Sequence, residues 1–218
     1  MKSEIHILFP HLFSGLGYGA AENALPGNDT IHTIARTFSF SGYYRGYERE
    51  LLNLFGLDTI GQDFSSHMAS IIASSDLEEV DESILRADPV YLKADQNRVF
   101  MVDGQTMAIQ MKEAKRIVSS LNDFFHQDKL TFLVGEKPWR WYLRGTNAHP
   151  PEFFSPMAMK GRAMEPTLLE MQNMGSLKTL MTEIQMFLHS SDLNHGRLET
   201  GSLPVNSLWF WGGHRLSP

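Results

Sequence analysis

The sequence predicts an α/β or α+β fold, a mixed sheet flanked by helices, and three observations carry that reading. Leu177, Leu180, Met181, Ile184, Phe187 and Leu188 recur at three- and four-residue spacing, which lines one face of a helix. Short runs such as Val90-Tyr91-Leu92 and Arg98 to Val102 are apolar, partly β-branched and separated by the turn formers Ala94-Asp95-Gln96-Asn97, so they read as paired strands. Hydrophobic residues make up 42% and charged residues 20% of the chain, enough apolar material for a sizeable core.

Taken in order, Ile5–Phe9 is a short apolar strand stopped by Pro10, followed by a glycine-rich loop from Ser14 to Asp29. Asn28 or Asp29 caps a helix carrying Ile31, Ile34 and Ala35. After an aromatic, turn-rich patch at 38–47, helices are expected over 48–55 and over 63–73, the second with Phe64, Met68 and Ile71 or Ile72 inward. The run Asp76 to Glu82 holds five carboxylates in seven residues and reads as a solvated loop or helix start. The chain is expected to be a single domain, 1–218; if it has two lobes, they are 1–80 and 81–218, divided at that run. Further on, Ala114, Ile117, Val118, Leu121, Phe124 and Phe125 form a second helical stripe. Lys129–Val134 and Trp139–Leu143 read as strands around the turn Gly135-Glu136-Lys137-Pro138. A Pro-rich loop at 147–156 and a Met-rich segment at 157–174 precede the last helix, and after a loop Leu208–Trp211 forms a final strand ending at Gly212-Gly213.

Composition excludes several chemistries. With no cysteine the chain has no disulfide, Cys-ligated zinc, iron–sulfur cluster or thiol nucleophile. A net charge of −6 argues against non-specific nucleic-acid binding, which needs a positive face to displace counterions. No stretch has the length of a membrane span and no secretory signal is visible, so a cytoplasmic protein with no membrane association is expected.

The chemical motifs are sparse. Gly15-Leu16-Gly17-Tyr18-Gly19 follows a strand but matches no phosphate-binding loop. The nine histidines include no H-x-x-x-H, H-x-H or H-E-x-x-H spacing, and there is no G-x-S-x-G elbow, so no metal, cofactor or catalytic residue is assigned. Arg86 and Asp88 form a charge pair before the strand at Val90, with Pro89 favouring an extended turn at Asp88. On a strand, Trp139, Trp141 and Leu143 share one face, while Arg140, Tyr142 and Arg144 share the other and set two guanidiniums around a phenol, a surface suited to an anion or nucleotide. Near the C-terminus Trp209 and Trp211 share a strand face, and Asn206 is placed to hydrogen-bond a nearby backbone.

Four ordered segments, Leu85–Asp95, Pro138–Leu143, Thr182–His189 and Leu203–Gly213, closely resemble a proteobacterial family described as RpfE-type predicted regulatory proteins, often labelled cofactor-independent phosphoglycerate mutase-like. The resemblance covers residues 84 to 213. It implies part of a phosphoglycerate mutase or alkaline phosphatase-like architecture, whose active members use a nucleophilic Ser or Thr and two metals held by Asp and His. Where those enzymes place a metal-ligating Asp after the first strand, this chain has Phe9-Pro10-His11-Leu12. The mutase activity therefore does not carry over, and the expectation is a non-catalytic regulatory or ligand-binding protein, a pseudoenzyme. Its ligand candidates are Arg86, Asp88, Arg140, Tyr142, Arg144, Glu183, Asn206, Trp209 and Trp211, for a small anionic or phosphorylated ligand. The rival expectations are a metal-dependent phosphomutase or phosphatase acting on a small phosphorylated metabolite, and a module that binds a protein partner through segment 157–174 or the aromatics at 38–47.

Overall fold

A computed structural model describes residues 64–79, 84–95, 98–146, 155–159 and 175–212. The chain divides into two compact units, 1–60 and 61–218, and every described residue belongs to the second. The elements expected before residue 60, the loop at 147–154 and most of the Met-rich segment lie outside the described residues. Among the described residues no helix is long and apolar enough to cross a membrane.

The elements run α1 (Phe64–Asp76), β1 (Leu85–Asp95), β2 (Arg98–Asp103), α2 (Met111–Phe124), a 3-10 turn (His126–Asp128), β3 (Thr131–Val134), β4 (Trp141–Arg144), α3 (Pro156–Met159), α4 (Ser176–His189), α5 (Asp192–Glu199) and β5 (Ser207–Trp211). Among the described residues helices accompany a five-stranded sheet in which every pairing is antiparallel. β1 is its centre. Arg86 pairs with both Tyr142 of β4 and Trp211 of β5, and Val90 pairs with both Asp103 of β2 and Ser207 of β5. A residue has only two edges, so β5 must occupy one edge of β1 while β4 and β2 follow each other along the other.

Pro89 shows why this arrangement suits the sequence. The turn expected at Asp88-Pro89 is instead the middle of an 11-residue strand. The Val90 carbonyl accepts from Asn206 N–H, and both backbone groups of Leu92 meet the Asn206 side chain, so even-numbered residues of β1 aim at the β5 edge. Pro89 therefore faces the opposite edge, in the gap where β4 has ended and β2 has not begun. A residue without an N–H costs no ladder bond there. Gly104 closes on this gap: a Cβ on it would lie 2.8 Å from the Trp139 Cβ and 3.0 Å from the Pro89 ring.

The two faces of the sheet bury different helices. Ala114, Ile117, Val118 and Leu121 of α2 and Leu177, Leu180, Met181, Ile184 and Leu188 of α4 pack on Leu85, Ala87, Phe132, Trp141, Leu143, Leu208 and Phe210. Both stripes expected from periodicity are thus core, except that Phe124 is 54% exposed and lies edge-on to Phe125, 4.8 Å between ring centres. On the other face, Ala69 of α1 and Met159 of α3 pack with Val90, Met101, Trp209 and Trp211, and Ala73 packs with Ile84 and Tyr142. Of the two isoleucines that could turn inward on α1, Ile72 does so and Ile71 is 52% exposed.

Two further differences from the sequence reading lie at the β3–β4 turn and after α4. The β3–β4 turn runs on through Arg140, closed by Gly135 N–H donating to the Arg140 carbonyl at 2.7 Å, so Trp139 and Arg140 precede the strand. The loop expected after α4 contains the helix α5, whose sequence DLNHGRLE has no apolar stripe to announce it. It is held instead by polar contacts: Arg197 forks onto both oxygens of Glu113 at 2.7 Å and donates to the carbonyls of Met107 and Leu203.

Ile184, fully buried in α4, should therefore lose about 2–5 kcal/mol of stability on Ile184→Ala, whereas Ile71→Ala should change it by less than about 0.5 kcal/mol. Urea unfolding of the two variants checks the assignment of the α1 and α4 faces.

Candidate functional site

The cluster that the sequence points to forms on the α1 face of the sheet, where β1, β4 and β5 run side by side. Alternation places Arg86 and Asp88 on the same face of β1, and each is 4% exposed. A charge buried this deeply needs a partner. Arg86 supplies one, donating to Asp88 Oδ1 from Nη2 at 2.6 Å and from Nε at 3.1 Å. The backbone N–H of Trp141 donates to the same oxygen at 3.2 Å, and Trp211 Nε1–H donates to Oδ2 at 2.7 Å. The Arg86 guanidinium lies between two rings, 5.0 Å from the centres of both Tyr142 and Trp211, where cation–π attraction replaces part of its lost hydration.

The cluster extends through Tyr142. Its hydroxyl accepts from Arg86 Nη1 at 3.5 Å and donates to Asp76 Oδ2 at 2.7 Å, and Arg140 donates to Asp76 Oδ1 at 2.9 Å. Asp76 corrects the reading of the acidic run as wholly solvated: its side chain has no exposed surface, while Glu78 and Glu79 are exposed. The signal was present in the spacing, since Ala69, Ile72, Ala73 and Asp76 continue one helical face. Gly135 makes room for this carboxylate, because a Cβ there would collide with Asp76 Oδ2 and lie 2.9 Å from the Tyr142 ring.

Burial pushes the Asp88 carboxyl up from the ordinary carboxylate range, while the Arg86 charge and the hydrogen bonds from Trp211, Arg86 and the Trp141 backbone pull it back. All of its contacts are donors, so the site is shaped for the ionised form. Burial also raises the Tyr142 phenol well above its ordinary value; the Arg86 charge opposes this, and Asp76 reinforces it as hydrogen-bond acceptor and as a charge.

The remaining candidates are distributed as follows. Both faces of β4 are covered, so Arg140, Tyr142 and Arg144 do not form an open surface: Tyr142 is buried, Arg140 holds Asp76, and Arg144 donates to the Glu79 carbonyl at 2.7 Å. Trp209 pairs with Asp88 across the β1–β5 ladder and packs on Val90 and Met101. Asn206, just before the start of β5, bonds the backbone of Leu92. Glu183 stands apart, on α4 at the opposite face of the sheet, lining a shallow cleft of about 380 Å³ with Asp128, Thr146, Ser176 and Thr179. Among the described residues no three His, Asp or Glu side chains converge as a metal site. Comparison of the chain with protein-family models, curated proteins and solved structures finds no match in any of the three.

Asp88→Ala should cost about 3–5 kcal/mol, because it leaves Arg86 charged and buried with no counter-ion. The double variant Arg86→Met/Asp88→Leu should be more stable than either single truncation, which a double-mutant cycle by urea unfolding measures. Tyr142 gives a pH signature. The folded state holds its phenolic proton more tightly than the unfolded chain, so stability falls as pH rises above the ordinary tyrosine value of 10. Tyr142→Phe should flatten that alkaline decline relative to the parent chain.

Proposed function

We propose that the chain is a non-catalytic regulatory or ligand-binding protein, kin to the RpfE-type regulatory proteins on a phosphoglycerate mutase-like scaffold. The observation that carries this reading is the Asp88 carboxylate, with protein donors on both oxygens and its neighbouring cation committed to it. A general acid or base must reach the proton it moves, and a carboxylate sealed between three strands reaches none on a substrate. Three of the four family-like segments meet at this ion pair through Arg86 and Asp88, Trp141 and Tyr142, and Trp211. The fourth, on α4, joins them through Gln185, which donates to Ser207 Oγ at 3.0 Å. This convergence supports a scaffold that the segments build together.

The ligand of this reading is small and anionic, and Arg140 receives it. Arg140 is the cation of the cluster that reaches water, with 31% of its side chain exposed, and Asp76 holds its guanidinium in place.

A thermal-shift screen of the purified full chain with inorganic phosphate, phosphorylated metabolites and nucleotides, with and without Mn²⁺ or Zn²⁺, tests this. The expected result is a ligand that stabilises the chain without metal, by about 2.7 kcal/mol at a hundred times its Kd, and loses that effect in Arg140→Gln. A shift requiring metal and phosphoester together would replace this reading with the metal-dependent phosphomutase or phosphatase one.

A further inference from the structure

Three asparagines in this chain do the same work at three places. Asn206 accepts from Leu92 N–H at 2.7 Å and donates to the Leu92 carbonyl at 2.9 Å. Asn194 accepts from Val205 N–H at 2.8 Å and donates to the Val205 carbonyl at 2.7 Å. Asn122, on α2, accepts from Phe132 N–H at 2.6 Å and donates to the Phe132 carbonyl at 2.9 Å. In each case one carboxamide satisfies both backbone groups of one extended residue, as an opposing strand residue does in a hydrogen-bonded antiparallel pair.

The Asn122 case stands on an edge. β3 is the last strand on its side of the sheet among the described residues, and its other side pairs with β4. The Phe132 ring is buried in the core, its backbone groups turn to the edge away from β4, as those of Val134 do by alternation, and Asn122 takes both of the Phe132 groups. Edge strands elsewhere are kept very short, as this four-residue strand is, and are protected by charge, proline or bulges. Thr131-Phe132-Leu133-Val134 has none of these residues; it is uncharged and rich in β-forming side chains, the composition that favours pairing with another chain.

We infer that Asn122 is an edge guard: its carboxamide occupies the strand-pairing site of β3 and keeps that edge from adding a strand of a second copy of this chain. The guard acts by competition, since an incoming strand must displace two good hydrogen bonds before it forms its own.

Sedimentation velocity of the full chain tests this with Asn122→Ala, the milder Asn122→Ser and the double variant Asn122→Ala/Thr131→Lys, each first checked for native far-UV circular dichroism. The expected result is that removing the carboxamide raises the weight-average mass by about twofold or more over the parent chain as concentration increases, and that adding Thr131→Lys, which puts a charge on the exposed edge, returns it to the parent value. Asn122→Ser carries the measurement if the alanine variant does not fold. The inference is overturned if the folded Asn122 variants keep the parent mass, or if they associate and Thr131→Lys leaves that association unchanged, which would place the contact elsewhere.

Discussion

The carboxylate of Asp88 is the constraint around which the second unit is arranged. It is almost wholly buried, so each of its oxygens must be met by a donor fixed in the protein. Those donors come from β1 itself, from the backbone at the start of β4 and from the indole at the end of β5. Satisfying one side chain therefore fixes where two strands lie against a third. Neither the edge occupied by β5 nor the point at which β4 joins β1 can shift by a residue without leaving this charge unsatisfied.

A buried ion pair gains little net stability over apolar residues of equal volume, because desolvation offsets most of the attraction. What this pair contributes is geometry. Arg86 lies between Tyr142 and Trp211, Tyr142 reaches Asp76, and Asp76 holds Arg140, so a chain of polar contacts runs from the end of α1 to the mouth of the β3–β4 turn. Gly135 is needed at that turn for a steric reason, since its missing side chain leaves the space that the Asp76 carboxylate fills. On the opposite side of the unit the polar residues act differently. Arg197 ties α5 to the start of α2, and Asn194 ties it to the segment entering β5, so a helix without an apolar stripe is positioned by charge and amide contacts.

The same sealing shapes the functional reading. Residues with the chemistry to bind or react, an arginine, two aspartates and a tyrosine, are drawn together and then spent on one another. The cluster meets solvent at Arg140, while the shallow cleft on the α4 face has the carboxylates of Asp128 and Glu183 in its wall and suits an anion poorly. Recognition through the rim and rigidity from the interior are compatible, because a held guanidinium loses less entropy on binding than a free one.

Much of this was legible in the sequence because it depends on local periodicity. The stripes of α2 and α4, the β1–β2 hairpin and the buried aromatic strand β5 follow from three- and four-residue spacing, two-residue alternation and turn residues, which are properties of neighbouring positions. Arg86, Asp88, Tyr142 and Trp211 could be picked out as unusual side chains on strands. The sequence could not say that they face each other, because sequence separations of 53 to 123 between Asp88 and its partners on the other strands are bridged by the fold alone. Asp76 looked like one member of a solvated acidic run until the inward face of α1 set it against Tyr142. Asn122 and Asn194 carry no pattern at all, since an amide that pairs with a distant backbone is chemically the same residue as one in water, and for Asn206 the sequence pointed to a backbone partner without naming Leu92. Periodicity determined the elements that carry an apolar stripe or alternation, with their buried faces; only the tertiary structure revealed α5 and decided which charges neutralise one another, because that depends on distances between elements, which the sequence does not encode locally.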